Sequence, residues 1–135
     1  MKLPPDTYFR SEYQLLLWKP RGVLNEKVVN QFIGFLREEE ATADAHRLRF
    51  ADTSELDAVE LNFRYVFHIA LHRRMTRAGR PVIKSACYFE NPGFEHYFKL
   101  HAMLTNHSPL KVKLFEDRGA AATWLKVPVD SLQAP

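Results

Sequence analysis

His68 and His72 stand four residues apart within a helical pattern, a spacing that puts two imidazoles on one face, as metal ligation requires. A zinc site needs three or four ligands. Position 69 is Ile where the HExxH motif would carry its glutamate, and no nearby cysteine or carboxylate pattern completes the set. Structural or surface histidines are expected, with no metal. Cys87 is the single cysteine, and its place between Ala86 and Tyr88 in an apolar run reads as an inert buried thiol rather than a nucleophile. No glycine loop of the Walker or dinucleotide type occurs. Ser, His and Asp are present, but a triad is defined by geometry and not by occurrence. The sequence therefore points to no catalytic residue and no cofactor.

Three other groups could bind rather than react. Asp52, Thr53 and Ser54 close a strand, and ligands of open α/β sheets usually sit at the carboxyl ends of strands. The plainer reading is that Thr53 or Ser54 caps a following helix while Asp52 orders the turn. Phosphorylation of Ser54 is a hypothesis that rests on position alone. Arg73, Arg74, Arg77, Arg80 and Lys84, with His72, gather positive charge at a helix C-terminus and the turn beyond it. They would complement the helix dipole, or contact an anion or a membrane surface. Phe94, Tyr97, Phe98, His101 and Leu104 form one helical stripe, which core packing explains. An apolar pocket beneath that helix would alternatively suit a lipophilic ligand.

The elements that must position these residues alternate. Tyr13 to Trp18 is a continuous apolar run closed by Pro20, Arg21 and Gly22, and reads as a buried strand with Thr7 to Arg10 as an antiparallel edge. Asn25 caps a helix over about 26 to 39, with Val28, Val29, Phe32, Ile33 and Leu36 on its inner face. Glu38, Glu39 and Glu40 oppose the helix dipole there, and a solvated acidic end is expected. Arg47 to Ala51 alternates as a strand whose arginine face is the less covered one. A long helix is then predicted from the Asp52–Ser54 turn to about Ala78, with Leu56, Val59, Phe63, Val66, Phe67 and Ala70 as its stripe and Gly79 as its stop. Val82 to Phe89 suits a central strand, and the helix over about 93 to 105 follows. Leu110 to Phe115 reads as an edge strand protected by lysines, and Asp117 caps a last helix that buries Trp124 and Leu125 together.

Strands alternating with helices over short connections argue for a mostly parallel sheet of four to five strands with an antiparallel N-terminal edge strand and about four helices. The strand ending Trp18 to Asn25, the strand closing on Asp52–Ser54, and the ending Leu110 to Phe115, Asp117, then Ala122 to Leu125 resemble the SpoIIAA-like group of STAS-type domains over most of residues 7 to 126. The resemblance implies a single STAS-like domain over 1–126 with a short tail over 127–135. It also implies regulatory binding or carriage of a lipophilic ligand, without a cofactor. In the antagonist branch of that family a partner kinase phosphorylates a serine in a D-S-S-G turn at the start of the second helix. This sequence has Asp57, Ala58, Val59 and Glu60 in that place, so the phosphoswitch does not carry over.

A 135-residue chain that is 46% hydrophobic and 26% charged has the composition of an ordinary globular domain, able to bury a core without disulfides. The lone cysteine and the lack of a signal-like or membrane-spanning run fit a cytoplasmic setting, with the inner membrane face as a peripheral alternative. Sixteen acidic residues offset nineteen basic ones, and a net charge of +3 does not argue for nucleic acid. The function expected is a non-enzymatic regulatory or ligand-binding module for a protein partner or a small apolar or anionic ligand, with homodimerisation open. The alternatives are a peripheral carrier of a lipophilic ligand, or a small hydrolase or transferase whose site forms only in three dimensions.

Overall fold

The computed structural model describes residues 3–41, 47–77, 79–105 and 109–134. Strands β1 (Thr7–Arg10) and β2 (Leu15–Trp18) pair antiparallel, and β2 continues into β3 (Gly22–Asn25) and helix α1 (Glu26–Glu40). Then come β4 (Leu48–Asp52), β5 (Leu56–Glu60), α2 (Phe63–Arg77), β6 (Ile83–Tyr88), α3 (Glu95–Thr105), β7 (Leu110–Phe115) and α4 (Arg118–Leu125). The main sheet has the order β1-β2-β4-β6-β7 and is parallel apart from its first pair, so the α/β class and the antiparallel N-terminal edge agree with the sequence.

Right-handed crossovers between parallel strands laid down in sequential order must all pass over the same face. Helices α1, α2 and α3 therefore cover one side of the sheet. Helix α4, which follows the last strand, packs Ala121, Ala122 and Leu125 on the other side against Leu17, Phe50 and Phe115. The period of two divides each strand between these faces. On the α4 face lie Leu15, Leu17, Phe50, Ala86 and Tyr88. On the three-helix face the pairing register forms two rows across four strands: Leu16, Arg49, Ser85 and Val112, then Trp18, Ala51, Cys87 and Leu114.

Several local expectations hold. Asn25 accepts from the Val28 amide at 3.0 Å and starts α1, and Asp117 accepts from the Gly119 amide at 2.9 Å and starts α4. The long second helix is corrected. Residues 56–60 are not helical but form β5, which pairs with β3 as a separate two-stranded parallel ribbon. Gly22, with φ +74°, turns the chain from β2 into that ribbon. Helix α2 begins only at Phe63, where Asn62 Oδ1 accepts from the Tyr65 amide at 2.8 Å. Its buried face is Val66, Ala70, Arg73 and Arg77, while Phe63 and Phe67 of the expected stripe point outward. The end of the chain belongs to the domain core: a 3-10 turn at Val129–Leu132 buries Leu132, and Arg10 Nε donates to the Ser131 carbonyl at 2.7 Å.

Candidate functional site

Beneath α1, α2 and α3 the three-helix face does not close completely and leaves a cavity of about 130 Å³. Its floor is the first strand row with Trp18, Ala51 and Cys87 of the second, and its roof carries Phe32, Leu36, Tyr65, Ile69, Phe98 and His101. Trp18 stacks on Phe32 with ring centroids 3.9 Å apart, which walls the end near the ribbon. The roof is tied by aromatic side chains. The Tyr65 hydroxyl of α2 bonds Asn30 Oδ1 of α1 at 2.5 Å, and the Phe63 ring packs on Tyr97 of α3 with centroids 5.6 Å apart. Ala51 and Ser85 sit mid-strand at the centre of the sheet yet keep accessible surface, because the side they face is hollow.

The helices run antiparallel to the strands, so their last turns return to the N-terminal ends of the strands. That brings Glu40 of α1, Arg73 and Arg77 of α2 and His101 of α3 over the row holding Arg49 and Ser85. Glu40, with its side chain 7% exposed, accepts from both Arg49 and Arg73 through Oε2, and Arg77 Nη1 lies 4.0 Å from Oε1. Burial pushes the Glu40 carboxyl up, but the Arg73 hydrogen bond and the charges of Arg49 and Arg73 outweigh it and hold the carboxyl at about 2. Arg49 moves the other way. Its burial outweighs the attraction of Glu40, Arg73 and Arg77 add repulsion, and it falls to about 10, still fully charged at neutral pH. The anion is thus over-stabilised and the cation under-stabilised, as happens when several cations share one carboxylate. His101 is half-buried and lines the cavity. Burial first, then Arg73 and Arg49, lower it to about 4, so it is neutral.

This acidic end was expected to be solvated, and for Glu40 the opposite holds. The expected basic cluster is taken apart by the same packing. Arg73 and Arg77 are 1% and 2% exposed and turn inward to Glu40, whereas Arg74 and Arg80 face solvent. Lys84 leaves on the α4 face, where its ammonium lies 5.2 Å from the Trp124 ring centroid and donates to the Trp124 carbonyl at 3.2 Å. These five residues do not form one anion patch.

The strand-end turn is built as a structural joint. Strand parity directs Asp52 to the α4 face, away from the cavity, and Arg118 Nη1 of α4 donates to Asp52 Oδ2 at 2.5 Å. The Ser54 amide donates to Asp52 Oδ1 at 2.9 Å, and the Thr53 hydroxyl donates to the Tyr88 carbonyl at 2.8 Å. Burial raises the Asp52 carboxyl, but the bonds from Arg118 and Ser54 prevail and lower it. Arg118 also lies over the Tyr88 ring, 4.3 Å from its centroid. Neither Thr53 nor Ser54 caps a helix, because β5 follows. Of the aromatic trio, Tyr97 and Phe98 line the cavity, whereas Phe94 packs with Leu24 and Leu56 of the ribbon.

Missed from the sequence were Arg49, Ser85 and Glu40. The readable signal was the spacing of Arg73 and Arg77, which continues the buried stripe of Val66 and Ala70 and so marks them as inward-facing. Cys87 on the cavity floor is buried, as expected, and burial pushes its thiol up to about 12. Among the described residues no three His, Cys, Asp or Glu side chains gather as a metal site, and no helix is long and apolar enough to cross a membrane. Compared with known proteins, the chain matches no protein-family model and no curated protein.

Proposed function

We propose that this protein is a non-enzymatic ligand-binding module of the STAS-like kind, which holds a small apolar molecule between the sheet and helices α1 to α3. The observation that carries this reading is the cavity itself, about 130 Å³ in volume, mainly apolar in its lining and partly open. Native interiors are packed as tightly as organic crystals, and side chains that line an apolar hollow lack packing partners that an occupant would supply. Apolar cavities of ~150 Å³ stay dry and take up benzene-sized molecules. Groups suited to turnover do not converge there. Cys87 stays a thiol, and neutral His101 is coupled to two arginines instead of a carboxylate that would orient it as a base. The roof contacts of Tyr65 and Phe63 are partly exposed side-chain links between helices, of the kind that open locally at low cost and admit a ligand.

Titration of toluene into isotope-labelled protein tests the reading. Amide resonances of Leu16, Ala51, Cys87 and Phe98 should shift and saturate, and Ala51→Leu, which fills the floor, should abolish the response while leaving the fold intact. Spectra unchanged up to the solubility limit of toluene would remove the proposal. Native mass spectrometry of the same protein reports any retained ligand together with the subunit count.

A further inference from the structure

The two terminal nitrogens of Arg73 are treated differently by the fold. Nη2 is bonded to Glu40, whereas Nη1 is buried and has no hydrogen-bond partner. The residue is 1% exposed and lines the cavity. A buried donor on a charged group is costly to leave unpaired, and native proteins seldom do so without a functional reason. Its neighbours are cationic: the guanidiniums of Arg49, Arg73 and Arg77 all lie within 4.0 Å of the Glu40 carboxylate. Ser85, beside Arg49 in the strand register, and neutral His101 line the same end and can each supply a further hydrogen bond. The opposite end is aromatic, with Trp18, Phe32 and Phe98.

Resting on the ligand-binding function above, we propose that the cavity is a site for a small monocarboxylate, whose carboxylate accepts from Arg73 Nη1 and whose apolar body lies toward Trp18, Phe32 and Phe98. Charge selects the headgroup. Among the residues that line the cavity, one unpaired guanidinium nitrogen with two neutral polar neighbours suits a single negative charge, whereas a doubly charged phosphomonoester calls for more donors than this lining offers. Volume selects the body. A cavity of about 130 Å³ is close to the ~150 Å³ that accommodates benzene, so the ligand, carboxylate included, is no larger than about one ring with its headgroup. Benzoate stands at the upper limit of that size, and a long-chain fatty acid does not fit.

The test is calorimetric titration with benzoate, its neutral isostere benzamide, and toluene, on the parent protein and on Arg73→Met. The expected result is binding of benzoate at least about tenfold tighter than either neutral molecule, the usual weight of a charge-assisted hydrogen bond. In Arg73→Met that preference should vanish while toluene still binds. Benzamide or toluene binding as well as benzoate to the parent would overturn the carboxylate site and leave the apolar cavity standing. A benzoate preference that survives in Arg73→Met would also overturn it. If none of the three binds the parent, the ligand-binding function itself fails. Should Arg73→Met not fold, the benzoate-to-benzamide ratio of the parent decides, supported by a benzoate-induced shift of the Arg73 guanidinium resonance and overturned by its absence.

Discussion

Replacing Glu40 with Gln removes one negative charge from the interior and leaves Arg49, Arg73 and Arg77 facing one another. The lowering of the Glu40 carboxyl from its ordinary 4.5 to about 2 corresponds to about 3 kcal/mol of stability at neutral pH, at ~1.4 kcal/mol per tenfold change. Little is lost to solvent screening, because the side chain is 7% exposed. Truncating one partner of a buried ion pair costs about 3–5 kcal/mol by a separate route, and the two magnitudes overlap. Of a total stability of ~5–15 kcal/mol this is a large share, and for a domain of this size it lowers Tm by roughly 10 °C. Urea unfolding of the parent and of Glu40→Gln measures it, with Glu38→Gln as control. Glu38 is exposed in the same turn and opposes the helix dipole, so its loss should change stability by no more than ~0.5 kcal/mol. The pH dependence has a definite sign. A carboxyl whose folded pKa is depressed contributes fully above pH 4.5 and loses that contribution as pH falls toward about 2. The gap between parent and Glu40→Gln should therefore close across that window. A gap below ~1 kcal/mol at pH 7, or one that does not narrow in acid, would refute the buried-carboxylate account.

Two further predictions concern the core. Cys87, with its thiol pushed up to about 12, should resist aromatic disulfide reagents in the native protein at pH 8 and react only on unfolding. Native-state labelling as fast as that of the unfolded chain would contradict its place on the cavity floor. Leu132→Ala should cost about 2–4 kcal/mol by denaturant unfolding, because Leu132 is 1% exposed in the cluster with Leu15 and Leu125, and a neutral result would mean that the last residues do not pack as described.

The parts of the fold legible in the sequence are those with local signals. Asn25 and Asp117 cap the helices they precede, and the runs at 15–18, 83–88 and 110–115 are apolar or alternating over enough residues to be strands. The ribbon of β3 and β5 was not legible. Leu56 and Val59 happen to fall at helical spacing with Phe63, and their strand state depends on a partner more than thirty residues away. Asn62 was the local mark of the true helix start. The candidate site divides in the same way. Tyr97 and Phe98 could be picked out as an aromatic stripe, but a stripe that packs and a stripe that lines a void read alike.

Sequence alone determined the α/β class, the antiparallel edge and the burial of Cys87, because period, caps and composition act over a few residues. Tertiary structure alone decided what the charges do. Glu40 lies next to Glu38 and Glu39, yet its partners Arg49 and Arg73 come from a strand and a helix nine and thirty-three positions away. Only the sequential parallel sheet, with its three crossovers on one face, carries those helix ends back over the same strand row and turns scattered charges into the polar end of an apolar cavity.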